Sequence, residues 1–271
     1  MINPLHKVEV NRYIYHHPRI GDGLAGMLVA QVSDVHMGRW LKPRHMRRLM
    51  AHVEAQGPEL IAYTGDYVGY DKADLARCVE SMSTTLCPTY AVLGNHDHWA
   101  STELATSAFD TSPITLLTNE RVTLERGGEV MEIVGVDDKV TKHADPDRAF
   151  AGVDPTRFCL VLNHVPSLAD DLAPRGAHLI LSGHTHGFQF NIPRVTHRIA
   201  QSLGTEYFAG AYALGDAAYL YINRGLGSAS WPRRIRALPE LTFFELRPGP
   251  APLLELDRTD WLAVDHGREV S

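Results

Sequence analysis

Five short apolar runs in this chain each give way, within a few residues, to a carboxylate, an imidazole or an amide. Met27–Val32 leads into Ser33-Asp34-Val35-His36, Leu60–Tyr63 into Gly65-Asp66, and Thr89–Leu93 into Gly94-Asn95-His96-Asp97. Phe158–Leu162 leads into Asn163-His164, and His178–Leu181 into Gly183-His184-Thr185-His186-Gly187. Runs this short and this apolar fit strands buried on both faces. Further strand-like runs are Met131–Val134, Ala218–Ile222 and Leu241–Leu246. Helical patterns lie between them at Pro43–Gln56, Lys72–Leu86 and Ser167–Ala173, the first with Pro at its opening turn and Gly57 after its end. Alternating strands and helices imply a layered α/β fold. In open α/β sheets, ligands bind beyond the carboxyl ends of the strands, so the five loops can converge on one site.

The side chains in those loops share one chemistry. Carboxylate with imidazole suits Mn, Fe or Zn, and no sulfur is offered. An extended Asp34-x-His36 or His184-x-His186 would set alternate side chains on one face, able to reach one point. Asn95 adds a neutral oxygen, and Gly65, Gly94 and Gly183 precede ligands where the backbone must turn or approach closely. An isolated Asp-x-His or Gly-Asp is usually structural. All five motifs, in order and each at a strand end, point to a metal site.

Composition narrows the rest. The 271 residues suffice for one sizeable core. A net charge of -6 disfavours an extended nucleic-acid grip, while metals can supply positive charge locally for a small phosphorylated substrate. Cys78, Cys87 and Cys159 form no CxxC pair and read as packed, reduced thiols of a cytoplasmic protein. The N-terminus shows no signal-peptide core, and Leu24–Val32 is too short to span a bilayer, so a soluble protein is expected. Most histidines (His6, His16, His17, His45, His52, His143, His197 and His266) have polar neighbours and read as solvated, whereas His178 reads as a core histidine. His98 reads as packed or solvated rather than a ligand, and Asp137-Asp138 as a turn. Pro248, Gly249, Pro250 and Pro252 divide the chain into a domain at 1–247 and a tail at 248–271, wrapped on the surface or mobile.

The ordered series SDVH, GD, GNHD, NH and GHTHG resembles the calcineurin-like metallophosphoesterases over roughly residues 27–247. The segment Asn223-Arg224-Gly225-Leu226-Gly227-Ser228, followed by Pro232, Arg234, Pro239 and Glu240, is similar to a bacterial subgroup. That subgroup includes YkuE-type and YaeI-type phosphodiesterases and a lipid A pathway pyrophosphatase. Many relatives carry an N-terminal membrane helix, which this chain lacks, and many have a second Gly where this chain has Phe188. The resemblance implies a four-layer α/β/β/α sandwich of two mixed sheets and two divalent metal ions. It implies that Asp34, His36 and His186 hold one metal, that Asn95, His164 and His184 hold the other, and that Asp66 bridges them. His96 would face the phosphate or leaving group, with Asp97 orienting it through its other ring nitrogen. The implied activity is hydrolysis of a phosphodiester or pyrophosphate by a metal-bridging hydroxide, without a Ser or Cys nucleophile.

Two segments bear on substrate. Arg39-Trp40-Leu41-Lys42 through Arg47-Arg48 begins just past His36 and is either a solvated helix face or an interfacial patch. Trp231, Arg233, Arg234 and Arg236 form a candidate opposite rim, and Phe188–Gly215 a candidate lid. Arg39, Trp40, Phe188 and Arg234 are therefore candidate contacts for a lipid-linked or amphipathic substrate, met by reversible contact with the inner membrane. Two other classes stay open: a binding scaffold of this fold with a decayed metal site, which would lack ligands, and a nuclease, which the charge disfavours.

Overall fold

The computed structural model describes residues 7–84, 86–189, 207–228 and 234–264. In the first half run β1 (Val8–His17), β2 (Leu28–Val32), α1 (Pro43–Ala55), β3 (Leu60–Thr64), α2 (Leu75–Met82), β4 (Thr89–Val92), α3 (Asn95–Asp110) and β5 (Thr115–Leu116). The second half adds β6 (Glu120–Arg126), β7 (Glu129–Val136), α4 (Pro146–Ala149), β8 (Cys159–Asn163), α5 (Ala169–Leu172), β9 (Leu179–Ser182), β10 (Gly210–Leu214), β11 (Ala218–Ile222), β12 (Glu240–Pro248) and β13 (Leu253–Leu262).

Two sheets result, ordered β13-β1-β12-β2-β3-β4-β5 and β10-β11-β9-β8-β7-β6. Both are mixed: β2, β3 and β4 run parallel while β12 meets β2 antiparallel, and β7, β8 and β9 run parallel while β6 meets β7 antiparallel. The layering follows from strand period. Successive side chains point to opposite faces, so Leu60 and Ala62 of β3 enter the core between the sheets, with Leu160, Leu162, Leu179 and Leu181. Ile61 and Tyr63 of the same strand enter an outer core with Leu49 and Val53 of α1 and Val79 of α2. Val161 and Ile180 face a third core closed by Ala169 and Leu172 of α5. Three apolar layers mean four layers of structure, an α/β/β/α sandwich.

Several elements differ from their sequence reading. Val8–His17 lacks an apolar pattern, yet it is a central strand between β12 and β13. The Pro-rich stretch after Arg247 is the turn into β13, which returns as the edge strand on β1 within the segment set apart as a tail. The pattern at 72–86 resolves into a 3₁₀ turn at Lys72–Asp74 and the shorter α2. His17 and His45 are buried rather than solvated. His45 accepts from the Lys42 N–H at the start of α1. His197 and His266, like most of the candidate lid, lie outside the described residues.

His17 packs on His178 with ring centroids 4.3 Å apart. The His178 Nδ1 accepts from the Cys159 N–H at 3.0 Å. Burial drives both imidazoles down to about 4 from an ordinary 6.5. As pH falls below 6.5 the unfolded chain therefore takes up protons that the native pair refuses, so stability drops until about pH 4 and gains nothing from this pair above neutrality. His178→Gln, which keeps an acceptor for Cys159, is expected to lose less stability than wild type between pH 7 and pH 5 in urea unfolding. An equal loss in both proteins would exclude His178 as a source.

Candidate metal centre

The carboxyl ends of β2, β3 and β4 in one sheet, and of β8 and β9 in the other, open on the same edge of the sandwich. Loops after them bring Asp34, His36, Asp66 and His186 into one group, and Asp66, His164 and His184 into a second, with ligand atoms in each group within 4.8 Å of one another. Asp66 belongs to both. Its Oδ2 lies 3.4 Å from His36 Nε2 and 3.3 Å from His164 Nε2, and its Oδ1 accepts from the His96 N–H at 2.9 Å. Asp34 Oδ1 is 3.3 Å from His186 Nε2, and both Asp34 oxygens accept from the His184 N–H at 3.1 Å.

The backbone achieves this by left-handed turns, not by the extended segments expected from Asp-x-His and His-x-His. Ten described non-glycine residues have positive φ, among them Asp34 (48°), His36 (43°), Asp66 (59°), His184 (71°) and His186 (53°). Each such residue costs roughly 1–3 kcal/mol, held only where the surroundings over-determine it. The left-handed geometry also sends His184 and His186 to different groups. Close approach explains two glycines: a Cβ on Gly94 would lie 2.3 Å from Asp66 Oδ1, and one on Gly225 2.3 Å from the Asp34 Cβ.

Backbone carbonyls fix the ring tautomers. The His36 Nδ1–H donates to Val68 O at 3.2 Å, and the His164 Nδ1–H to Thr64 O at 2.7 Å, so each Nε2 lone pair faces the cluster. Burial holds His36 and His184 down near 4 and His186 well below its ordinary value, keeping these rings neutral and able to ligate. Burial also raises Asp34, helped by the charge of Asp66. On the Asp66–His164 pair burial works against both charges, but their attraction and hydrogen bond win, lowering Asp66 and raising His164.

The residues present fit divalent cations on three counts. The Asn95 Oδ1 is buried with no hydrogen-bond partner. His36 Nε2 faces His186 Nε2 at 2.9 Å, and His184 Nδ1 faces His164 Nε2 at 3.2 Å, nitrogen against nitrogen. The donor set is carboxylate, imidazole and amide oxygen without sulfur.

Other expectations need correction. Asp97 does not touch His96. Its carboxylate accepts from the N–H groups of Gly94 and Asp66 at 2.9 Å and Tyr67 at 2.8 Å, bracing the turn that carries Asp66 and the start of α3. His96 Nδ1–H donates instead to Gly69 O at 2.5 Å. Arg234 is not a rim residue: it donates to the carbonyls of Arg224, Gly227 and Ala237, and its guanidinium sits 3.1 Å from His186 Nδ1. Trp231 and Arg233 lie outside the described residues, and Arg236 is exposed. Arg39 and Trp40 do border the cluster, lining a cavity of about 470 Å³ with His36, Lys42 and Tyr70. Phe188 packs on Phe208, ring centroids 6.1 Å apart, two residues past His186. His98 pairs with Asp137 at 2.8 Å and stacks on His143. Asp138 takes a turn role, its Oδ2 accepting from Thr141, while its Oδ1 is buried and unpartnered. The sequence reading overlooked Tyr70 and Trp99, whose rings lie 4.8 and 5.0 Å from that of His96. Trp99 stands three residues after His96 on one helical turn, a spacing that does announce proximity.

A donor-rich, buried cluster between the ends of two facing sheets is the site of a metal-dependent phosphohydrolase. A family model described as calcineurin-like phosphoesterase matches residues 27–188, and the chain belongs to that family. It is 29% identical to the metallophosphoesterase YkuE of Bacillus subtilis (strain 168) over 254 residues, covering 89% of this chain and 86% of the relative. It is 30% identical to the phosphodiesterase YaeI of Escherichia coli (strain K12) over 231 residues, covering 83% and 84%. It is 24% identical to the UDP-2,3-diacylglucosamine pyrophosphatase LpxG of Chlamydia muridarum (strain MoPn / Nigg) over 293 residues, covering 86% and 88%.

Removing the amide of Asn95 tests the second group. Asn95→Ala should keep the fold by circular dichroism and lower the bound metal measured by mass spectrometry, with the loss confined to one equivalent. Unchanged metal affinity would show that Asn95 is not a ligand.

Proposed function

We propose that the protein hydrolyses a phosphodiester or pyrophosphate bond in an amphipathic, lipid-linked substrate, using two divalent cations drawn from manganese, iron and zinc. The observation that carries this reading is the cavity of about 470 Å³ that His36 shares with Arg39, Trp40, Lys42, Tyr70, Asp71 and Asp74. It offers room and charged groups of both signs for a substituent beyond the scissile phosphate, which a simple monoester would leave empty. The names of two relatives, a phosphodiesterase and a UDP-2,3-diacylglucosamine pyrophosphatase, support it.

Asp34, His36, His186 and Asp66 would hold one cation, and Asp66, Asn95, His164 and His184 the other. Bound there, the cations would polarise a phosphoryl oxygen and acidify a water. The chain itself does the rest. Asp97 and the glycines keep the Asp66 turn rigid. His96, tethered at Nδ1 by Gly69 O, has Nε2 as its free nitrogen; when that nitrogen is protonated it can give its proton to the leaving oxygen. A decayed binding scaffold is disfavoured because every ligand position is filled.

The test is metal analysis followed by a panel of nucleotide diesters, UDP-sugar lipids and glycerophosphodiesters with the best metal. His96→Ala should then lower turnover by ~10²–10⁴-fold while retaining both metals. Metal loss in step with activity would make His96 structural, and hydrolysis of monoesters alone would overturn the diester reading.

A second test concerns the membrane. No helix among the described residues is long and apolar enough to cross a bilayer. Arg39, Lys42, Arg44 and Arg47 are exposed beside half-buried Trp40, and Phe188, Phe208 and Tyr212 form an aromatic cluster on the His186 side. Basic residues beside aromatic rings suit reversible contact with anionic lipid. Wild type should co-sediment with phosphatidylglycerol vesicles at low salt and release as salt rises, and Trp40→Ala combined with Arg44→Ala and Arg47→Ala should bind less. Failure of wild type to bind removes the lipid part of the proposal alone.

A further inference from the structure

Three aromatic side chains are strongly exposed among the described residues: Tyr70 (66%), Trp99 (56%) and Trp261 (50%). Trp261 lies on the far edge strand, where the Lys7 ammonium sits over its ring at 3.5 Å. The other two converge on His96. Tyr70 meets the His96 ring at 4.8 Å with a 60° interplanar angle, and Trp99 meets it at 5.0 Å with 63°. Both approaches are edge-to-face.

Their positions are indexed to His96 by the backbone. Tyr70 follows Gly69, whose carbonyl holds His96 Nδ1, and Trp99 sits three residues on in the first turns of α3. No hydrogen bond anchors the Tyr70 hydroxyl or the Trp99 indole N–H to the protein among the described residues. The two rings are thus fixed by contact with His96 while much of their surface stays in water. Exposed aromatics gathered at one site, unlike single scattered ones, mark candidate binding surfaces.

The same mouth carries charges of both signs, the cations Arg39 and Lys42 and the carboxylates Asp71 and Asp74. Arg39 lies over the Trp40 ring at 5.1 Å, and neither Arg39 nor Lys42 is in an ion pair among the described residues. Both line the cavity that Tyr70 shares with His36. A substrate seated on the metal groups would then find two aromatic rings beside His96, with Arg39 and Lys42 in the cavity that His36 also lines. A planar, π-faced group joined to phosphates satisfies both surfaces, and a nucleotide is that combination.

We propose that Tyr70 and Trp99 form a stacking subsite for a nucleobase, making the substrate a nucleotide-bearing diester or pyrophosphate. This deepens the phosphodiester or pyrophosphate reading above and rests on it. Stacking is indifferent to base identity, because every base has a π-face, and depends on planarity.

The experiment is calorimetric titration of the metal-loaded protein with UMP and with 5,6-dihydro-UMP, which keeps the phosphate, ribose and carbonyls but loses ring planarity. Wild type should bind UMP roughly 10-fold more tightly than the dihydro nucleotide, in line with one stacked base. Trp99→Ala and Tyr70→Ala should bring that ratio toward one, and Trp99→Phe should retain part of it. Circular dichroism checks that each variant folds. Equal affinities in wild type, no binding of either nucleotide, or a ratio untouched by both alanine variants would overturn the subsite. Hydrolysis of the ring-free diester glycerophosphoglycerol by wild type is scored separately: if it proceeds while the ratio is one, the stacking subsite fails and the diesterase reading stands.

Discussion

The Asp66 carboxylate is 1% exposed, belongs to both candidate cation groups, and has two imidazole nitrogens within 3.4 Å of one oxygen. Burying a lone carboxylate costs far more than a domain of this size can absorb, so its surroundings must compensate fully. They do so from several directions. His164 and His36 face Oδ2, and the His96 N–H holds Oδ1. The turn around it is held in turn by Asp97, itself fully buried, whose pKa is pushed up to about 7 by burial and by the charge of Asp66. Two buried acids so close repel one another, and positive charge between the histidines relieves that repulsion. A cation held at the shared carboxylate would therefore serve the fold as well as the chemistry.

That constraint explains where strain collects. The strands feeding the site are buried on both faces and leave little freedom at their carboxyl ends, so the chain must turn within one or two residues to aim a side chain inward. Left-handed backbone at Asp34, His36, Asp66, His184 and His186 is the outcome. Hydrogen bonds hold the turns at Asp34, His36 and Asp66: Asp34 N to Gly65 O, His36 N to Asp66 O, and Gly227 N to Asp34 O. Ligand bonds to a cation, which would form only in the folded state, would oppose the same strain.

The clustering of the candidate ligands was legible in the sequence because two independent signals coincide there: an apolar run long enough for a doubly buried strand, and a donor residue directly after it. Where only one signal exists, reading failed. β1 looks polar because Glu9, Asn11 and Arg12 interrupt it, yet tertiary partners satisfy them: Arg224 for Glu9, Glu240 for Asn11, Gln56 for Arg12. β13 was hidden by the Pro-Gly turn that precedes it and by an edge position that leaves most of its residues exposed. Asp97 was assigned to its sequence neighbour His96, but a carboxylate at the third position of a helix reaches back to the N-cap amide, here Gly94, and so turns away from the imidazole beside it. Arg234 was grouped with Trp231, Arg233 and Arg236 as a candidate rim, and its actual partners are carbonyls brought near only by the fold.

A site split between two sheets works only if the sheets cannot slide. Asp34 and Asp66 belong to one sheet and His164, His184 and His186 to the other, and apolar contact between the layers is not directional enough to fix their offset to a fraction of an ångström. Directly below the ligands the apolar core gives way to polar groups that are directional. The Gln31 amide of β2 donates to Thr64 Oγ1 of β3 at 3.1 Å and crosses the gap to Ser182 O of β9 at 2.9 Å. Asn163 of β8 donates to the Ser182 hydroxyl at 2.8 Å. His164 reaches back across the gap to Thr64 O. All four of Gln31, Thr64, Asn163 and Ser182 are fully buried. The Gln31 Oε1 and Asn163 Oδ1 are buried without a partner, so only the N–H groups of these side chains are satisfied. Breaking one of those donor bonds would cost about 1–3 kcal/mol, which opposes a slip together with lost packing. A polar clamp of this kind gives up some hydrophobic stabilisation at the centre of the sandwich and gains a fixed register between the two halves of the ligand set, which an apolar layer of the same size could not provide.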